Sequence, residues 1–152
     1  MIYNYNIKLI KTVISEDKPV KFKCSEDVAQ SKFIQGLFTD SNNDKEKMYI
    51  VLLNVKNNII GYSLISMGSL TSSIVHPREV LKPAILASAA SIIMVHNHPS
   101  GDPEPSTDDI EITDRINKAL KIIGINLLDH IILGFEADEF KGYYSFRQSN
   151  LL

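Results

Sequence analysis

Apolar positions along this chain follow two rhythms, and the rhythms predict its elements. Runs rich in apolar and β-branched residues at about 48–55 and 59–67 flank the polar Lys56-Asn57-Asn58, which predicts two strands joined as a hairpin. Ser91-Ile92-Ile93-Met94-Val95 has the β-branched character of a short buried strand. The period then lengthens. Ile110, Ile112, Ile116, Ala119, Leu120 and Ile123 mark one amphipathic helix over about 107–123, opened by Ser106 and stopped by Gly124. Strands follow at about 126–133 and 139–147. A helix is expected between Pro77 and Ala90, with Pro83 kinking or restarting it because proline has no N–H to donate. Towards the N-terminus, short strands are expected at 2–9 and 19–23. A helix should start at Ser25-Glu26-Asp27-Val28 and run towards Leu37, with a polar loop over 39–45. The sum is an α/β chain: a mixed β-sheet flanked by helices.

Chemistry concentrates where one predicted strand meets the next predicted helix. His96 and His98, two residues apart at a strand end, project from one face, so both rings can reach one ion. Asp109 lies in the first turn of the helix that Ser106 opens, across a tight Gly/Pro loop. Two imidazoles and a carboxylate are three ligands that leave zinc a fourth position for water, the pattern of catalytic rather than structural sites. Each piece alone has a plainer reading. Ser-x-x-Asp before an apolar run is by itself a helix cap, and His-x-His can be one packed and one solvated ring. The joint pattern favours a metal site.

His-x-His-Pro followed after six residues by Ser-x-x-Asp resembles the JAMM (MPN+) metalloprotease motif. Val75-His76-Pro77-Arg78-Glu79, the stretch from His96 to Asp109, Leu127 to Gly134 and Tyr144-Ser145-Phe146 are similar to the bacterial RadC-like branch. The similarity covers roughly residues 46–148. It implies a JAB/MPN (cytidine-deaminase-like) α/β domain, with zinc held by His96, His98 and Asp109, Ser106 beside the reacting carbonyl, and an upstream glutamate as general base. Glu46 is the best match for that base, since it precedes the apolar strand Met48 to Leu53. Read without the family, Glu46 is one charge in a run, with Asp44, Lys45 and Lys47 around it, and such runs ordinarily face solvent. The implied reaction is hydrolysis of a peptide or isopeptide bond in a peptide or protein substrate.

Other polar residues receive structural readings. His76 precedes Pro77 at a helix start and is not taken as a ligand. Arg78 and Glu79 are expected to be solvated or to line a groove, while Asp102, Glu104 and Asp108 are candidates for the rim of the site. Asp129-His130 interrupts the apolar run Leu127 to Leu133, so the pair either bonds within the fold or supports the metal ligands from behind; the structural reading is favoured.

Composition narrows the alternatives. In 152 residues with 44% hydrophobic content there is room for one core, read as a single globular unit with residues 1–45 forming an N-terminal extension packed on a domain of 46–152. The one cysteine, Cys24, cannot form an internal disulfide and reads as a small residue near a strand end. The Cys-x-x-Cys of zinc nucleobase deaminases is absent, which disfavours that chemistry. The first residues lack the pattern of a secretory signal, so a cytoplasmic location is expected, and no apolar run is long enough to span a membrane. A net charge of −2 disfavours a dedicated nucleic-acid binder and leaves room only for a local nucleic-acid-binding patch. RadC-like proteins are linked by name to DNA repair and often carry a helix-hairpin-helix module, which is not read in this sequence. The competing reading is therefore a catalytically silent JAB-fold scaffold in DNA-associated or mobile-element biology. Zinc-assisted phosphodiester hydrolysis ranks behind both, for want of a second carboxylate cluster and a basic track.

Overall fold

The computed structural model describes residues 21–39, 45–68, 75–136 and 139–152. Five strands form one sheet: β1 (Lys47–Leu53), β2 (Ile59–Met67), β3 (Ser91–His98), β4 (Asn126–Glu136) and β5 (Glu139–Ser145), in the spatial order β2-β1-β3-β4-β5. Only β3 and β4 run parallel; the other neighbours are antiparallel. That single parallel pair requires a crossover, and α4 (Thr107–Ile123) supplies it. The chain is thus the mixed α/β sheet that the apolar rhythms predict.

Alternation along the strands sorts the core into two layers. Met48, Ile50, Leu52, Ile92 and Met94 pack under α3 (Pro77–Leu86) and α4, together with Val80, Ala84, Ile112, Ile116 and Leu120. Tyr49, Val51, Leu53, Ile93, Val95, Ile131 and Leu133 face the other way. They meet Val28 and Ala29 of α1 (Ser25–Ala29) and Ile34 of α2 (Lys32–Gly36), with Phe38 beyond it. The central strand β3 is buried on both faces, which explains its near-continuous apolar sequence.

Several expectations are corrected. The helix towards Leu37 is two short helices, because Ser31 leaves helical geometry and its side chain accepts a hydrogen bond from Ile34 N–H, starting α2 afresh. Residues 21–23 contain no strand: Lys21 forms one isolated bridge to Asn58, and Cys24 is exposed at the start of α1. The strand expected at 2–9 and the first two residues of the one expected at 19–23 lie outside the described residues, as do residues 40–44 of the polar loop. α3 runs through Pro83 without restarting and stops at Leu86, short of Ala90, with Ser88 in a left-handed conformation after it. The hairpin turn is as expected, with Asn57 at φ 59°. No helix among the described residues is long and apolar enough to cross a membrane.

Candidate metal centre

His96 and His98 occupy the carboxyl end of β3, two residues apart and therefore on the face that carries α3 and α4. Their partner comes from the N-terminus of α4. Ser106 is the N-cap, and its side chain accepts from Asp109 N–H while the Asp109 carboxylate accepts from Ser106 N–H, forming a reciprocal capping box. The box holds Asp109 in one place. Its carboxylate is buried, with Oδ1 3.3 Å from His96 Nε2 and Oδ2 3.6 Å from His98 Nε2. The ligating atoms of His96, His98 and Asp109 all lie within 4.8 Å of one another.

Hydrogen bonding fixes which nitrogen of each ring is free. Thr113 Oγ1–H donates to the Asp109 backbone carbonyl one turn earlier, so the same oxygen accepts from His130 Nδ1–H at 2.6 Å. His130 Nε2 is then an acceptor, and takes the hydrogen of His96 Nδ1 at 2.8 Å. His96 Nε2 is left with a lone pair. Burial pushes the His130 pKa down to about 4, and burial followed by the neighbouring His130 lowers that of His96, so both rings are neutral as this chain requires. On the second histidine, His98 Nδ1–H donates to the Asp102 carbonyl at 2.8 Å, which leaves Nε2 facing inward.

The two inward nitrogens stand 3.0 Å apart beside a carboxylate. Two lone pairs at that distance repel unless a proton or a metal cation lies between them. Electrostatics agree. Burial works against the charged form of His98, but its hydrogen bonds to Asp109 and the Asp102 carbonyl and the charges of Asp109 and Glu46 outweigh it and raise the pKa. Asp109 is likewise opposed by burial, yet hydrogen bonding to His98, the electrostatic influence of the adjacent His96 ring and the bonds from Ser106 hold its carboxyl well below the usual carboxylate range. The centre is built to attract positive charge, and its donor set suits a divalent metal.

The surroundings explain how the loop reaches the site. Gly134 of β4 pairs with His98, and a Cβ placed on it would overlap the Gly101 carbonyl oxygen and approach the Gly101 carbonyl carbon to 2.9 Å. Glycine therefore lets the loop after β3 lie directly on the sheet, where Asp102 can hold His98. The chain matches the RadC-like JAB domain family over residues 22–151. It belongs to that family. The match takes in α1 and α2 as well as the sheet. The relatives include a UPF0758 protein of Rubrobacter xylanophilus, 52% identical over 112 residues that make up 74% of this chain and 47% of the relative. Another, from Caldanaerobacter subterraneus, is 58% identical over 106 residues, 67% of this chain and 45% of the relative. One from Clostridium acetobutylicum is 59% identical over 91 residues, 60% of this chain and 40% of the relative. The chain thus spans less than half the length of these curated relatives. As a RadC-like JAB domain, its His-His-Asp cluster fits the JAMM motif.

The remaining candidates fall into place around the cluster. Glu46 is half-buried just before β1, two residues ahead of Met48, the cross-strand partner of His96. Its charge acts on His98. Ser106 Oγ–H donates to Asp109 Oδ2 at 2.6 Å, so the serine touches a predicted metal ligand directly. The Asp102 side chain accepts from Glu104 N–H within the loop, while its carbonyl contacts His98. His76 is a helix cap, with Nδ1 accepting from Arg78 N–H, and Arg78 and Glu79 form an exposed ion pair.

Sequence reasoning treated Asp129-His130 as one unit and favoured a structural role. The pair divides. Asp129 faces the α1 layer, where Ser25 donates to it, whereas His130 faces α4 and holds His96. Thr113 was missed altogether; its only signal is its position one helical turn after Asp109. Asn97, which carries no role in the sequence reading, is buried and hydrogen-bonded to the chain on both sides of Glu46.

Proposed function

We propose that this chain is a zinc-dependent hydrolase of JAMM type that cleaves a peptide or isopeptide amide bond. The observation that carries this reading is the meeting of two imidazole nitrogens, 3.0 Å apart, with a buried carboxylate against both, and with the charge of Glu46 bearing on His98. His96 Nε2, His98 Nε2 and Asp109 would hold the ion. Zinc in such a site supplies Lewis acidity and makes water a nucleophile near neutral pH.

The chain's own residues then have separate tasks. Glu46 accepts the proton of the attacking water and returns it to the leaving nitrogen. Ser106 stands at the positive end of α4, and its hydroxyl turns from Asp109 towards the substrate carbonyl as negative charge develops there. His130 and the Asp102 carbonyl keep the two ligand rings in orientation throughout.

The test compares zinc-loaded wild type with Glu46→Gln on fluorogenic peptide and isopeptide-linked libraries. The variant should keep its zinc and lose about 10²- to 10⁴-fold in rate, the usual contribution of a general base. Equal rates in the two proteins would remove Glu46 from the mechanism. A zinc-loaded wild type that cleaves neither library would count against amide hydrolysis itself.

A further inference from the structure

The register between β1 and β3 runs from Leu53 opposite Ser91 to Met48 opposite His96, and stops there. Beyond that point a side chain continues the pairing. Lys47 N–H donates to Asn97 Oδ1 at 2.7 Å, and Asn97 Nδ2–H donates to the Lys45 carbonyl at 3.2 Å. One amide group therefore grips the main chain immediately before and immediately after Glu46. On the other side, Gly68 N–H donates to the Glu46 carbonyl at 2.8 Å. Glu46 lies outside any strand, yet its backbone is held from both sides.

We propose that Asn97 is a positioning residue for Glu46, holding the general base at a fixed place relative to the metal ligands on either side of Asn97 itself. This inference rests on the reading of Glu46 as the base. Asn97 is almost fully enclosed, and a buried amide persists only where its donor and acceptor are both engaged. Here both engagements go to one peptide segment. Strand alternation then couples the parts. His96 and His98 project to the α4 face while Asn97 projects to the opposite one, so any change in the pitch of this strand end moves the ligands and the clamp together. The distance between the base and the metal ligands is thus set within three consecutive residues. An aliphatic side chain of similar size would fill the same space and leave Lys47 N–H and the Lys45 carbonyl without these partners.

The experiment uses cobalt as the metal probe in the full chain, with wild type, Asn97→Ala, Glu46→Gln and the double variant. Cobalt content, the pH midpoint of the visible cobalt band, and amide hydrogen exchange at Lys47 and Ile50 are measured. Asn97→Ala should bind as much cobalt as wild type, and its Lys47 amide should exchange about tenfold faster with Ile50 unchanged, as for the loss of one buried hydrogen bond. Its band midpoint should move in the direction of Glu46→Gln, and the double variant should move no further than Glu46→Gln alone. A wild-type midpoint in Asn97→Ala, while Glu46→Gln shifts, would overturn the positioning role and leave the base intact. An unshifted midpoint in Glu46→Gln would instead overturn the base, and the inference with it. Should Asn97→Ala fail to fold, Asn97→Thr carries the same measurements, since a β-branched residue suits the strand and cannot span both partners.

Discussion

Asp109 and Asp129 are both buried aspartates, 2% and 4% exposed, and they lie on opposite faces of the sheet with opposite uses. Asp129 is closed. Its Oδ2 accepts from Ser25 and Ser145 hydroxyls at 2.6 and 2.7 Å, and its Oδ1 from the backbone N–H groups of His130 and Arg147 at 2.8 and 3.0 Å. Four donors to one carboxylate tie α1, β4 and the end of β5 together. Asp109 accepts from the Ser106 N–H and hydroxyl and stands against two imidazole nitrogens, His96 Nε2 at 3.3 Å and His98 Nε2 at 3.6 Å. A carboxylate surrounded by donors holds a fold, and one facing lone pairs invites a cation.

The contrast can be broken first at Asp129. Asp129→Ala strands two hydroxyls and two backbone donors in the interior, and should cost about 3 kcal/mol or more in urea unfolding. Metal affinity of the folded variant should stay near wild type. A metal defect without a stability defect would reverse the assignment of the two aspartates.

Gly134→Ala tests the open site through its loop. The added methyl overlaps the Gly101 carbonyl, so the loop must lift from the sheet, at a cost of about 1–3 kcal/mol, and loosen the hold of Asp102 on His98. Zinc affinity should fall in a competition assay against a chelating dye. Unchanged affinity would show that His98 needs no help from the loop.

These two expectations differ in how far the sequence announces them. The candidate triad is legible because its parts lie close in the chain: strand alternation aligns His96 with His98, and the same Ser-x-x-Asp spacing that caps α4 places Asp109. Gly124 marks the end of α4 by its left-handed backbone, at φ 76°. The support around the triad is another matter. His130 reaches His96 only because the crossover makes β3 and β4 parallel neighbours, with Met94 opposite His130. A register between distant strands is not written in local pattern. The polar pair in an apolar strand was the visible clue, but strand alternation sends its two members to different faces. Lys47 misleads in the opposite sense: it belongs to a charged run that reads as solvated, yet the structure buries it completely beside the partly buried Glu46.

His130→Phe sharpens the same contrast by keeping the ring stacked on Phe146 while removing the acceptor for His96 Nδ1–H. Zinc affinity should fall by about 10- to 100-fold, the usual effect of losing a partner behind a ligand histidine. Affinity equal to wild type would make His130 a packing residue only. The smallest effect belongs to Ser106→Ala. Losing the N-cap should cost about 1 kcal/mol in thermal or urea unfolding while zinc stays bound. The backbone N–H of residue 106 still bonds the Asp109 carboxylate, so loss of zinc in that variant would mean that the hydroxyl half of the capping box is what holds Asp109.

The most direct measurement is elemental analysis of purified, chelator-washed and zinc-replenished protein beside Asp109→Ala, with circular dichroism to check the fold of each. Near one zinc per wild-type chain and little in the folded variant is the predicted result. A well-folded wild type that takes up no zinc, or a variant that holds it equally well, would contradict the metal centre on which the proposed hydrolysis depends.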